Sequence, residues 1–145
     1  METEDRIAIE SDADVVAARQ RARELAGELE LSSTDQTLLA TAISEVARNI
    51  TAYATRGEVT LRIVRDGNGR SGIEVIAADN GPGIEDIERA LQDGYTTGGG
   101  LGLGLPGARR LVDEFEIESA PRLGTKVRLV KWSRGAERGV RVCAW

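Results

Sequence analysis

Nine of the chain's 17 glycines lie between Gly81 and Gly107, and that concentration limits the fold more than any other feature. Glycine loses the most backbone freedom on folding and brings no side chain to a core. So rich a stretch can be neither a central helix nor a buried strand, and the core must come from its flanks. A scaffold spreads its glycines, whereas a ligand-binding loop concentrates them. The run is densest at Gly98-Gly99-Gly100-Leu101-Gly102-Leu103-Gly104, which leads into a helix start at Leu105-Pro106. Free backbone N–H groups in such a loop, together with the helix N-terminus, favour bound phosphate. A plain flexible linker is the alternative.

The flanks carry regular patterns. Arg6 to Glu10 alternates as a short strand, and Ser11 to Asp14 offers N-caps for a helix running to about Glu30. A second helix is expected from Ser33, whose spacing to Gln36 fits a capping box, to about Tyr53, with Leu39, Ala42, Ile43, Val46, Ile50 and Tyr53 on one face. Glu58 to Val64 and Ile73 to Ala78 read as strands joined by the hairpin signal Asp66-Gly67-Asn68-Gly69. Ile84, Ile87 and Leu91 predict a short amphipathic helix, and Asp93 to Gly104 a mobile loop. Pro106 fits the first turn of a further helix, with Leu105, Ala108, Val112 and Phe115 at helical spacing. Phe115 to Ser119 and Lys126 to Trp132 then form a second hairpin. The expected fold is α+β: a two-layer sandwich with helices on one face of a mixed, mostly antiparallel sheet. Residues 1–132 are expected to form one domain and 133–145 a weakly ordered tail.

Composition removes whole classes of chemistry. The chain has no histidine, so His-metal sites, Ser-His-Asp triads and a phospho-accepting histidine are excluded, and acid–base work falls mainly to carboxylates. A net charge of −5 argues against general nucleic-acid binding, which needs a basic face. One cysteine, Cys143, cannot form an internal bridge, and no apolar run long enough for a signal peptide or membrane span precedes the first charged segment. A soluble cytoplasmic protein without membrane contact is the expectation. Gly102-Leu103-Gly104-Leu105-Pro106-Gly107 formally spells G-x-G-x-x-G, but a dinucleotide fold needs a strand before it and a parallel strand after, and here a glycine loop and a hairpin stand instead. No P-loop Gly-Lys-Ser/Thr occurs, and the eukaryotic-type kinase signatures are missing.

Three further groups can carry chemistry. Glu45 and Asn49, four apart on the second helix, project about 40° from each other. Such a carboxylate and amide can hold a hard cation or take a proton, or form a solvated polar pair beside Arg48. Asp79-Asn80-Gly81-Pro82-Gly83 reads as a strand-ending turn. Alternatively, its carboxylate accepts from an exocyclic amine while Gly81 and Gly83 let a flat ring approach the backbone. Gly124-Thr125 is ordinarily the end of a hairpin turn. Cys143, Trp132 and Phe115 read as structural.

Taken in order, Glu45-x-x-x-Asn49, Asp79-x-Gly81-x-Gly83, the Gly98 to Gly104 loop and Gly124-Thr125 resemble the four motifs of the GHKL superfamily, whose ATP-binding domain is the Bergerat fold. Within it, the wording ISEVARN, DNGPGIEDIERALQDGYTTGGGLGLGLPGARRLVDEFEI and VRLVKW is similar to the RsbT-like branch of small serine/threonine kinases, from about Ile7 to Trp132. The resemblance implies ATP and Mg²⁺ as cofactors. Asp79, assisted by Thr125, would accept from the adenine amine, and Gly81 and Gly83 would flank it. Asn49 would ligate Mg²⁺; Gly98, Gly99, Gly100, Leu101, Gly102, Leu103 and Gly104 would hold the phosphates; Glu45 would take the proton of the acceptor hydroxyl. It also implies partners: a STAS-domain protein substrate of the stressosome and a PP2C-type phosphatase regulator. RsbW-like anti-sigma factors use the same fold, so a nucleotide-gated binding module that sequesters a sigma factor is the second reading. A non-catalytic domain acting in trans in a histidine-kinase system is the third.

Overall fold

The computed structural model describes residues 4–54, 56–81, 104–120 and 122–133. In chain order these form β1 (Glu4–Ile9), α1 (Asp12–Glu28), α2 (Ser33–Tyr53), β2 (Gly57–Arg65), β3 (Ser71–Asp79), α3 (Gly104–Leu111), β4 (Glu114–Ala120) and β5 (Gly124–Trp132). The strands make one five-stranded sheet in the order β1-β2-β3-β5-β4. All four pairings are antiparallel, so the sheet is not mixed among the described residues. The short helix expected around Ile84, the loop from Asp93 to Leu103 and the tail from residue 134 onward lie outside the described residues.

Local chemistry explains the boundaries. Asp14 Oδ2 accepts from the Glu10 and Ser11 N–H groups at 2.8 and 3.1 Å, fixing the entry to α1. The helix stops short of the expected Glu30. Glu30 takes a left-handed conformation, φ 59°, while the Leu31 N–H donates back to Ala26 O at 3.0 Å, a Schellman-like stop made without glycine. The cap of α2 is Ser32, not the expected Ser33: Ser32 Oγ accepts from the Asp35 N–H at 3.0 Å, and Gln36 Nε2 donates to Leu31 O at 2.9 Å. The helical spacing after Pro106 also overran. The helix α3 ends at Leu111, because the Asp113 N–H pairs with Val130 O at 2.9 Å, and Phe115 stands in β4, as the hairpin reading of Phe115 to Ser119 expected.

The three helices cover one face of the sheet. Leu39, Ile43, Val46 and Ile50 of α2 meet Val59, Leu61, Ile73, Val75, Val127 and Leu129 from the central strands in one buried cluster, which α1 joins through Val15, Ala18, Ala22 and Leu25. The period-2 alternation of β2, β3 and β5 sends their polar side chains to the opposite face. There Glu74, 4 % exposed, accepts from Arg62 at 2.6 Å and from Arg128 at 2.7 Å. That hydrogen bond, foremost among the nearby carboxylates, holds the Arg128 guanidinium above its usual range.

Lys131 points the other way, into the helical layer. Its buried Nζ lies 3.5 Å from Asp35 Oδ1 and donates to Leu111 O at 3.2 Å. One cation thus joins a carboxylate in the first turn of α2 to the carboxyl end of α3, both placements that the helix dipoles favour. No helix of the described residues is long and apolar enough to cross a membrane.

Candidate nucleotide-binding site

Three strands end together under the carboxyl half of α2. In register, Asp79 of β3 opposes Thr125 of β5, and Thr125 opposes Ser119 of β4. Antiparallel pairing puts directly opposed side chains on one face, and here it is the helical one. Asp79 Oδ1 accepts the Gly81 N–H at 2.9 Å and the Thr125 N–H at 3.3 Å. The first bond makes a local Asx turn; the second ties positions 46 residues apart. Oδ2 has no partner among the described residues, so they fix the carboxylate through one oxygen and leave the other unengaged.

Gly81 is required by close approach. A Cβ there would stand 2.6 Å from the Cβ of Ala54, just past the end of α2. A shallow cavity of about 450 Å³ opens beside this cluster, lined in part by Asp79, Asn80, Ser119, Leu123 and Thr125. Leu123, 76 % exposed, stands at the hairpin tip. The Thr125 side chain is buried, and its hydroxyl shares a 2.9 Å hydrogen bond with Ser119 Oγ, which also donates to Gly124 O at 2.9 Å. Thr125 therefore reaches Asp79 through its backbone N–H.

Ser119 was missed in the sequence reading. Its signal was there in retrospect: the short turn between β4 and β5 places it opposite Thr125. Along α2, Glu45 is 7 % exposed, and its Oε1 accepts the Gly104 N–H at 3.0 Å. A carboxylate therefore occupies the amino end of α3, where an unpaired N–H and the helix dipole favour negative charge. Among the described residues Glu45 Oε2 has only a 3.5 Å contact with Arg48 Nη1.

The Asn49 side chain, one turn further on and half-buried, makes no hydrogen bond to a described residue. The structure thus joins Asp79, Gly81 and Thr125 in one cluster, and Glu45 with Gly104 in another. Gly83, Gly98, Gly99, Gly100, Leu101, Gly102 and Leu103 fall outside the described residues. From Gly104 the chain runs through α3 into an antiparallel hairpin, as expected of a sequence that is not a dinucleotide fingerprint.

Comparison with known proteins places this geometry. The chain is 47% identical over 128 residues to the serine/threonine-protein kinase RsbT of Bacillus subtilis (strain 168), covering 88% of this chain and 96% of that one. It is 41% identical over 98 residues to the anti-sigma F factor of Thermoanaerobacter sp. (strain X514), covering 63% of this chain and 66% of the relative. Among solved structures, the RsbU and RsbW domains of a Mycobacterium tuberculosis protein superpose with a TM-score of 0.59 at 24% identity, over 92% of this chain and 33% of that one. The likeness to that structure is one of fold. Residues 34–134 match the family described as histidine kinase-, DNA gyrase B-, and HSP90-like ATPase, and with the helices, sheet and Asp79 cluster arranged as above, the chain belongs to that family, the GHKL ATPases.

Proposed function

We propose that this GHKL serine/threonine kinase of stress signalling transfers the γ-phosphoryl of Mg-ATP to a Ser or Thr on a cytoplasmic STAS-domain protein, and that it regulates a PP2C-type phosphatase partner. The observation that carries the reading is Glu45: a nearly buried carboxylate on the same helix as Asn49, held against the amino end of α3 with Oε2 turned to an exposed arginine. Kinship to RsbT over most of both chains supports it.

The residues present fit the nucleotide and its metal. Among the described residues Asp79 has one carboxylate oxygen without a partner, suited to an exocyclic amine, and the Asn49 amide oxygen is unengaged, a hard donor of the kind Mg²⁺ takes. Bound Mg-ATP supplies the phosphoryl group and neutralises its charge. Asp79 orients the base, and the N–H pair from Gly81 and Thr125 keeps its carboxylate from rotating. Gly83, with Gly81, would let the base approach the backbone beside Asp79, and the segment from Gly98 to Gly104 would hold the phosphates. Glu45 Oε2 takes the proton of the acceptor hydroxyl as its oxygen bonds to the γ-phosphorus and the bond to the β-phosphate oxygen breaks, leaving ADP. Positioning and charge, with no covalent protein intermediate, suffice for such a transfer.

The test is transfer of labelled phosphate from Mg-ATP to a purified STAS-domain protein of the same genome. Label on Ser or Thr is the expected result. Similarity to anti-sigma F factors favours a second reading, in which nucleotide sets the conformation of a module that grips a sigma factor. A stable, nucleotide-dependent complex without any labelled product would select it.

A further inference from the structure

A second concavity of about 450 Å³ lies between α1 and α2, with Arg19 and Arg23 on one wall and Thr41, Ser44, Glu45 and Arg48 on the other. Three arginines and a single carboxylate line it, although the chain as a whole carries −5. The arginines are under-used. Arg21, on the same helix, is paired with Asp5 at 2.7 Å and Glu24 at 2.9 Å. Arg19 and Arg23 have no ion-pair partner among the described residues. Among the described residues the Arg48 guanidinium touches only Glu45 Oε2, and at 3.5 Å the contact is long for a charge-assisted hydrogen bond. One turn before Arg19 and Gln20, Val16 is 51 % exposed, one of two large apolar side chains so placed among the described residues. Free guanidinium forks beside an exposed apolar anchor make a surface for an acidic protein segment.

Glu45 forms one wall of this groove and also holds the start of α3, so whatever fills the groove lies against the assigned base. We propose that the groove is the docking site of the phosphoacceptor segment and selects a Ser or Thr flanked by Asp or Glu. Arg19 and Arg23 take the flanking carboxylates. Arg48 exchanges its weak contact with Glu45 for a substrate carboxylate, which frees Oε2 for the acceptor proton. The inference rests on the kinase reading for the role of Glu45, but the groove's acidic preference stands on its own charges. Among the described residues no aromatic side chain lines the concavity to stack a base, which favours a protein segment over a nucleic acid.

The test uses the full chain and two labelled nine-residue peptides with a central Ser, one flanked by Asp and Glu, the other by Lys and Arg, with binding read by fluorescence anisotropy. The acidic peptide should bind and the basic one should not. Raising salt from about 0.05 to about 0.3 M should weaken the interaction severalfold. Arg19→Glu with Arg23→Glu should lower affinity for the acidic peptide at least about tenfold while ATP affinity stays as in the wild type, and Arg48→Gln should lower it severalfold. Equal binding of the two peptides, or indifference to the double reversal, would overturn the proposal. So would tighter binding of a single-stranded oligonucleotide of equal charge. Peptide binding needs no turnover, so binding without phosphate transfer would refute the kinase reading and leave the acidic groove standing. With a STAS-domain substrate, the double reversal should raise KM and leave kcat nearly unchanged.

Discussion

Replacing Gly124 with alanine tests how tightly the end of β5 is fitted to the nucleotide cluster. Gly124 has φ +91°, and a Cβ on it would stand 2.1 Å from the Asp79 carbonyl oxygen and 3.0 Å from Asn80 Cα. Gly69, at the tip of the first hairpin, has φ +85° but open space around it. The second glycine therefore isolates the backbone term. Gly69→Ala should cost about 1 kcal/mol for left-handed strain alone. Gly124→Ala carries the same strain plus the displacement of a backbone oxygen, so about 3 kcal/mol in all.

With a urea m-value of about 2 kcal/mol/M, the two variants should lower the unfolding midpoint by about 0.5 M and about 1.5 M. To relieve the clash β5 must move about 1 Å from β3. That carries the Thr125 N–H, already 3.3 Å from Asp79 Oδ1, out of hydrogen-bond range. Nucleotide affinity of the surviving folded Gly124→Ala protein should then fall at least tenfold, whereas Gly69→Ala should bind normally. Equal midpoints for the two variants, or normal nucleotide binding by Gly124→Ala, would refute the reasoning.

Three other expectations follow from the fold. Ser32→Ala should cost about 1 kcal/mol by denaturant titration and Ser33→Ala less than about 0.5, because the cap bond belongs to Ser32. Lys131→Met should cost about 3 kcal/mol by leaving the buried Asp35 carboxylate unpaired, and adding Asp35→Asn should recover at least about 1 kcal/mol in a double-mutant cycle; strict additivity would deny the pairing. Asp66 is held below the usual carboxylate range, chiefly by its side-chain hydrogen bond to Arg70. A depressed folded value means the hairpin's contribution is whole above about pH 4 and is lost as pH falls further, through the folded value. A carboxyl titration by NMR should show that depression and its relief in Arg70→Gln.

What the sequence made legible was local. Alternation marked β2 and β3, Asp66-Gly67-Asn68-Gly69 marked their turn, and the 3.6-residue period of Leu39 to Ile50 marked α2. Motif order singled out Asp79, Glu45 and Gly124-Thr125 as site candidates. What escaped depends on partners distant in sequence. Ser32 and Ser33 are equivalent as caps until Gln36 is seen bonding Leu31 O. Helical spacing alone carried α3 on to Phe115; the Val130 carbonyl, 17 positions beyond Asp113, ends it. The stop of α1 rests on a left-handed Glu30, where glycine would have been the signal. The insertion of β5 between β3 and β4 leaves no trace in any short window. Nothing local in α1 marks Arg19 and Arg23, and only the packing of α1 on α2 sets them in one groove with Glu45.

The central claim is that Asp79 binds nucleotide while Glu45 acts on the transferred group, and one paired measurement tests it: ATP affinity by calorimetry and phosphate transfer to a STAS-domain protein, for the wild type, Asp79→Asn and Glu45→Gln. Glutamine keeps an oxygen for the Gly104 N–H but cannot take a proton. Glu45→Gln should bind ATP as the wild type does and lose about 10²- to 10⁴-fold in transfer rate, whereas Asp79→Asn should lose both binding and transfer. Transfer at the wild-type rate by Glu45→Gln, or undiminished ATP binding by Asp79→Asn, would contradict the account.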